Sequence, residues 1–484
     1  MSIFNKLFKS KGPAVSEPAP STAAASDHNK FDTLFARATA AAAKRELALA
    51  AQLYEEALQV DPTSAEAHYK RANALKDLGM LEDALRGYTA AIERKADYAY
   101  AYCNRGFVQH RLGLMEEALS SYDKAIAIDP TDALVHYNRA LLLQDCSRWE
   151  EALTSYDGAV AANPDFADAQ YNRGLALLYN GEYERGWRAF EWRWKNAARL
   201  SIGAVRGFEE PLWLGEEPLA GKRLLLHSEG GFGDTLQFCR YATSCAEQGA
   251  TVFLEAQPQL LELLGSLKGV SQLIATGGAL PQFDYHCPLM SLPLAFKTRL
   301  ETVPAPPQYL QANKDKVARW RSILGERSVP RVGLVWSGNP NNWIDARRSI
   351  RLADWLEHLP PGFQYFRLQT EVAEEDEATL DSSSVIFTYD ELLDSPDFAK
   401  TAALCECMDV IISVDTSVAH LCGALGKRIW LLLAFHPDWR WVRNRPDTPW
   451  YPNMRLYSQS SPGDWNGVFA RVAADLRHEF GEGR

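Results

Sequence analysis

Small and aromatic residues recur every 34 positions along residues 31–200. Tyr54, Tyr88, Tyr122, Tyr156 and Phe190 share one register, and Ala50, Ala84, Ala118, Ala152 and Gly186 share another. Ala57, Ala91, Ala125 and Ala159 form a third; Gly79, Gly113 and Gly181, with Ser147 standing in once, mark a turn inside each unit, and Pro62, Pro130 and Pro164 close units. The pattern predicts five units, the first and last degenerate as array ends tend to be. After residue 215 the pattern changes to apolar runs separated by helical stretches. Residues 222–227 read as a buried strand, Gly230, Gly231 and Gly233 as a turn, and 234–245 as a helix. TVFLEA, VSQLI and FDYHCPLMSL continue the alternation to a proline-rich hinge near Ala305; a helix over 314–324 then leads to strands at Arg331 and near Tyr365, Val385, Val410 and Ile429. Repeated β-α-β units predict a mainly parallel sheet in each of two lobes, and a cleft between them.

Candidate chemistry gathers at the strand exits. The first lobe offers GGFGD, with His227 at the strand end and Glu229 and Asp234 around the glycines. The spacing is G-G-x-G-D, which matches neither the dinucleotide fingerprint nor the P-loop. Asp234 is a candidate base with Glu229 and His227 as rivals on the same loop; the plain alternative is that Asp234 only caps its helix. In the second lobe Asp345, Arg348 and Ser349 follow one strand exit; at another, Asp415, Thr416, Ser417 and His420 open a helix. A helix start with hydroxyls suits phosphate, and it equally suits a simple N-cap. FHPDWRWVRNR is dense in Trp and Arg: its arginines suit a leaving phosphate and Trp439 or Trp441 a stacked base, or the run is a packed loop.

The 34-residue register resembles the tetratricopeptide repeat, a helix–turn–helix unit whose arrays bind other proteins. Asn104, Asn138 and Asn172 recur at one register, each followed by arginine, and Lys70 breaks the ladder at its first rung. A primary amide both donates and accepts, so such a ladder can hold an extended backbone; alternatively Asn and Arg knit neighbouring helices together. In GWRAFEWRWK, Trp187, Trp192 and Trp194 are too many for a solvent-facing cap and predict packing of the array against the lobes C-terminal to it.

GGFGD together with DTSVAH-x-x-GALGK resembles the heptosyltransferase-like family of GT-B glycosyltransferases, and the whole arrangement resembles bacterial tetratricopeptide glycosyltransferases, the flagellin glycosyltransferases among them. The O-linked N-acetylglucosamine transferases are similarly organised. The resemblance implies a helical solenoid followed by two α/β Rossmann-like lobes: repeats over 31–200, an acceptor lobe at 201–310 and a donor lobe at 311–484; residues 1–30, rich in Ala, Pro and Ser over 12–29, read from their composition as a segment without structure. It implies an inverting, metal-independent transfer of sugar from a nucleotide sugar, CMP-linked or another, to Ser or Thr hydroxyls of a protein held by the repeats, with flagellin as one such acceptor. Asp234 maps to the catalytic base, and Asp415, Thr416, Ser417 and His420 to donor phosphate binding. Asp345, Arg348 and Ser349 map to a D-R-x-R-S motif in which Ala346 replaces the first arginine. The rival from another class is a non-catalytic repeat scaffold carrying a degenerate transferase fold.

Composition adds exclusions. A net charge of −11 over 484 residues argues against a general nucleic-acid or membrane-surface binder. The eight cysteines have no CxxC or zinc spacing, which suits reduced thiols and a cytoplasmic location. No apolar run reaches membrane-span length. MSIFNKLFKSKG has no apolar core for a secretory signal; Phe4, Leu7 and Phe8 allow a weak anchor at most.

Overall fold

The computed structural model describes residues 22–195, 206–338, 345–393 and 397–481. The chain forms two compact units, Met1–Asn163 and Pro164–Arg484.

The first unit is built of helices α1 (Thr22–Ala43), α2 (Leu47–Val60), α3 (Ala65–Asp77), α4 (Leu81–Arg94), α5 (Ala99–Arg111), α6 (Met115–Ile128), α7 (Ala133–Asp145) and α8 (Trp149–Ala162), packed as consecutive pairs. The periodic residues are the ones that close each pair. Ala50, Ala84, Ala118 and Ala152 and the tyrosines at 54, 88, 122 and 156 are all no more than 1% exposed. A small residue on one helix lets its partner approach, and the tyrosine ring fills the space beyond. At Gly106 a Cβ would lie 2.8 Å from the Tyr122 ring, so this approach admits no side chain. The turn inside each pair needs left-handed backbone. Gly79 and Gly113 supply it at φ 80 and 78, while Ser147 and Arg45, at the same register, adopt φ 60 and 59 without glycine's freedom.

Two expectations are corrected. Residues 22–30, expected to lack structure, belong to α1; the segment is alanine-rich, and alanine is the best helix former. Further along α1, Leu34, Ala38 and Ala41 pack on Ala50, Leu53 and Tyr54, so tertiary burial anchors the helix. Residues 1–21 lie outside the described residues. The array expected over 31–200 also divides, because its last helix pair, α9 (Ala167–Tyr179) and α10 (Tyr183–Phe190), belongs to the second unit.

The physical cause is the aromatic cluster. Trp187 is 1% exposed, donates its indole N–H to the Thr298 carbonyl at 3.1 Å, and meets Trp439 edge-on at 5.3 Å between ring centres. The Trp450 indole donates to the Tyr183 hydroxyl at 3.1 Å. Trp192 and Trp194, by contrast, are only half-buried.

The second unit carries two sheets, both wholly parallel. The first holds β1 (Arg223–His227), β2 (Thr251–Ala256), β3 (Val270–Ala275) and β4 (Tyr285–Pro288) in the order β3-β2-β1-β4. The second holds β5 (Arg331–Val335), β6 (Gln364–Arg367), β7 (Ile386–Phe387), β8 (Val410–Val414), β9 (Ile429–Leu433) and β10 (Met454–Ser458) in the order β10-β9-β8-β5-β6-β7. Central strands such as VIISV are buried at every position, as parallel sheets covered on both faces require. The edge strand β10 is absent from the sequence expectation: MRLYS has an exposed Arg455 inside it and no apolar run.

Arg240, 3% exposed, pins the lobes together. It donates to the carbonyls of Pro304 at 3.0 Å and Trp450 at 2.6 Å and to the Tyr309 hydroxyl at 2.9 Å. Among the described residues no helix is long and apolar enough to cross a membrane.

Candidate functional site

Parallel strands place all their carboxyl ends on one edge, and ligands of open α/β sheets bind outside those ends. Here both lobes do so toward one cavity of about 770 Å³. Its walls are the segments that leave the strands: Gly230–Asp234 after β1, Gln257 after β2, Ser337 and Gly338 after β5, Leu368–Glu371 after β6, and Asp415–Val418 after β8. In the second sheet the chain leaves β5 for β6 on one side and returns as β8 on the other, so the cavity lies at the switch point. The two motifs singled out in the sequence therefore meet. The helix Phe232–Phe238 packs on the helix Ser417–Ala424, so closely that a Cβ on Gly233 would lie 2.8 Å from the His420 ring.

The three candidate bases part company. Asp234 lines the cavity, with Oδ2 accepting the Gly231 N–H at 2.8 Å and Oδ1 paired with the Arg440 guanidinium at 2.5 Å. Its capping contact and its place in the cleft thus coexist. Glu229 is turned away into a buried ion pair with Arg193, both oxygens engaged at 2.9 and 2.8 Å. His227 leaves β1 on the face that carries Leu225, because side chains alternate along a strand. It lies under Phe208 with Nε2 3.2 Å from His286 Nδ1, and its buried Nδ1 has no partner. Burial, the neighbouring His286 and Arg206 hold its pKa down at about 3, so the ring stays neutral.

On the opposite wall, Asp345, Arg348 and Ser349 form one network. Arg348 donates to Asp345 at 3.2 Å and to the Asp415 backbone carbonyl at 2.6 Å, and Ser349 donates to Asp345 at 2.8 Å. Ser349 in turn accepts the Gly338 N–H at 3.1 Å, tying the β5 exit to this network. The side chains of Ala346 and Arg347 lie outside the described residues, as do residues 339–344 of the same segment.

Thr416 is the N-cap of the Ser417 helix but makes no side-chain cap; its hydroxyl lies 3.4 Å from that of Ser413. The first turn of this helix therefore presents backbone N–H groups at the cavity wall, the usual setting for an anion. Burial and the nearby Asp438 carboxylate raise the pKa of Asp415, against the pull of Arg348 and Arg440. His420 is 5% exposed, bonded to the Tyr451 hydroxyl at 2.8 Å and stacked on Trp441. Burial, reinforced by Arg440, Arg240 and Arg348, drives its pKa well below the usual imidazole value.

The Trp/Arg run resolves residue by residue. Trp439 and Trp441 are packed, the first on Trp187 and the second on His420, so the packed-loop alternative describes both. Arg440 between them reaches the cavity and spans the lobes, donating to Gln237 at 2.8 Å, Asp438 at 2.8 Å and Asp234. Arg193 is the residue that sequence reasoning did not single out, and Arg440 entered it only as one of the arginines of its run. The one signal they share is the spacing W-R-W, which occurs around both.

The asparagine register divides too. The Asn104 amide donates to Asn73 at 2.9 Å and Tyr69 at 3.2 Å on α3, which links repeats, and Asn138 approaches the Cys103 sulfur at 3.9 Å. Arg105 and Arg139 reach Ser121 at 3.1 Å and Ser155 at 2.6 Å on the second helix of their own pairs. Asn172, on α9, lies in the second unit and is half-buried. Among the described residues no cluster of three or more His, Cys, Asp or Glu is placed to hold a metal.

Comparison with known proteins agrees with the repeat architecture. Residues 42–79, 72–113 and 142–181 match the TPR repeat family model, and residues 99–132 and 121–154 match two tetratricopeptide repeat models. The chain is 29% identical over 328 residues to Protein FlbA of Caulobacter vibrioides, covering 62% of this chain and 53% of FlbA. The chain thus spans about half the length of this curated relative. The matched length exceeds what the first unit, Met1–Asn163, can supply, so the likeness extends into the α/β unit. Among solved structures, MamA is 18% identical, covering 37% of this chain and 99% of its own with a TM-score of 0.33. YrrB, described as a TPR protein with an unusual peptide-binding site, is 22% identical over 36% of this chain and 90% of its own, with a TM-score of 0.31.

Proposed function

We propose that the protein is a GT-B-type glycosyltransferase that moves a sugar from a nucleotide sugar to Ser or Thr hydroxyls of a protein bound by its repeats. The observation that carries this reading is the convergence of both lobes' strand ends on one cavity, with Asp234 on one wall and the Ser417 helix start and Arg348 on the other. An alcohol is a poor nucleophile, so the Asp234 carboxylate takes its proton as the oxygen attacks the anomeric carbon. The bond from that carbon to the phosphate oxygen breaks, and the electron pair leaves with the phosphate. The negative charge that gathers there is met by backbone N–H groups at Ser417 and by the Arg348 guanidinium. Attack opposite the departing phosphate inverts the anomeric centre. In this scheme Arg440 holds the Asp234 carboxylate in place before the acceptor arrives, and Asp234 retains lone pairs for the hydroxyl.

The client lies along the register of Asn104 and Asn138 in the first unit. Since the Asn104 nitrogen is engaged between repeats, its carbonyl oxygen takes the client's backbone N–H. The family resemblance of the motifs points to flagellin as the client and to a cytoplasmic reaction. One observation favours the scaffold reading instead: both Asp234 oxygens already have partners. Intact-protein mass spectrometry of flagellin incubated with the full chain and a panel of nucleotide sugars separates the two. A mass increase of one sugar, lowered about 10²–10⁴-fold by Asp234→Asn with the fold retained, supports the transferase. No increase with any donor, and no thermal stabilisation by any nucleotide, leaves the scaffold.

A further inference from the structure

The geometry points to Arg193, at the end of the last repeat, as the positioning residue of the cleft: it holds the glycine loop in the shape that presents Asp234. This rests on the transferase reading. Arg193 is 1% exposed, a cation with no access to water. Its Nε and Nη2 fork onto the two oxygens of Glu229 at 2.9 and 2.8 Å, Nη1 donates to Glu191 at 2.6 Å, and Nη2 also reaches the Ser291 hydroxyl at 2.7 Å. The Phe190 and Trp194 rings lie 4.7 and 4.6 Å from the guanidinium carbon. Glu229 also accepts the Met290 N–H at 3.1 Å, which leaves its carboxylate no freedom to turn.

Glu229 is the residue before Gly230, and Gly230, Gly231 and Gly233 have no side chains with which to anchor themselves. The loop is therefore held through its backbone, where Gln257 donates to the Gly230 carbonyl at 3.1 Å, and from its ends. On one side the Arg193 fork orients Glu229; on the other, the Gly231 N–H bonds to Asp234 at 2.8 Å. A guanidinium fixes a carboxylate's plane as well as its distance, which an ammonium cannot. The packing of Trp187 and Tyr183 holds α10, the helix just before the turn that carries Arg193, by other contacts, so orientation and folding are separable. The last repeat is then part of the catalytic apparatus, and client recruitment falls to the first unit.

The test is Arg193→Lys in the full chain, which keeps the buried charge and loses the fork. Expected are an unfolding temperature close to wild type, amide exchange about tenfold faster in the peptide covering 228–234 but not elsewhere, and turnover lowered about 10²-fold at unchanged donor KM. Unchanged exchange in that peptide overturns the proposal. So does faster exchange throughout the unit with donor binding and turnover lost together, since that is a structural role. Should Arg193→Lys not fold, Glu229→Gln, which keeps the shape and the bond to Met290, is read by the same measurements. A wild-type chain inactive with every donor would sink the transferase reading, while the exchange comparison would still decide the role of Arg193.

Discussion

The three glycines of the first-lobe turn face different neighbours, so replacing each by alanine gives three separable outcomes. At Gly233 the new Cβ would lie 2.8 Å from the Cδ2 of His420, against a comfortable carbon–carbon separation of about 3.5–4.0 Å. The ring cannot give way: it is 5% exposed, bonded to Tyr451 at 2.8 Å, and stacked on Trp441 with centres 5.3 Å apart. The helices Phe232–Phe238 and Ser417–Ala424 must part instead, widening the cleft by roughly 1 Å. Overpacking of this kind costs about 1–3 kcal/mol. For a unit of this size that lowers the unfolding temperature by roughly 1.5 °C per kcal/mol.

At Gly231 the nearest atom to a Cβ is Asp234 Oδ2 at 3.8 Å and the backbone is extended, so alanine should be tolerated. At Gly230 the Cβ would fall on the Asp234 carboxylate, which can swing aside, so the fold survives while Asp234 leaves its place. Thermal unfolding with and without nucleotide reads the first effect, and transfer to the client reads the last. If Gly233→Ala unfolds and responds to nucleotide like wild type, or if Gly231→Ala is equally damaging, the lobes do not meet as described.

Three other substitutions probe backbone strain and buried charge. Ser147→Gly relieves a left-handed serine at φ 60 and should stabilise the first unit by up to about 1 kcal/mol, read as a higher denaturant midpoint; no gain would mean that the turn is not strained. His227 and His420 are held neutral in the fold, whereas the unfolded chain takes up protons near pH 6.5, so stability should fall as pH drops below about 6.5. His227→Gln should make that fall shallower in calorimetry between about pH 7 and 5; an unchanged slope would remove His227 as its source. Asp415 has the opposite sign: its raised pKa means that the fold keeps the proton longer than the unfolded chain, so the carboxylate weakens the fold as pH rises through the acid range. Asp415→Asn should therefore raise the denaturant midpoint near pH 7, with the advantage shrinking toward about pH 4; a loss at pH 7 would show that the charge is stabilising.

The repeats were legible because each makes the same contacts at a fixed offset. A small residue and a tyrosine must recur wherever one helix crosses its partner, and Arg45 shows that the turn geometry persists even where glycine does not. The strand–glycine–helix segments were legible for a similar reason, since a buried parallel strand is a short apolar run and its exit needs room. The start of α1, residues 22–30, was missed because its composition does not set it apart from a linker, while the packing that anchors the helix, Leu34 and Ala38 on Leu53 and Tyr54, comes only further along it.

What only the tertiary structure decided is which polar group faces which space. His227, Glu229 and Asp234 are equivalent by local spacing, yet strand alternation sends the first beneath the sheet, an ion pair 36 residues back captures the second, and the third alone lines the cavity. Arg440 pairs with Asp234 across 206 positions, and Trp187 is bound 111 positions away. Local pattern encodes which face of an element is apolar; it does not encode where a long charged side chain ends, because its partner is chosen by the packing of other elements. The periodic residues thus determined the repeats and the parallel sheets by their own spacing, while the site around Asp234 came into being only when two lobes and the last repeat were brought together.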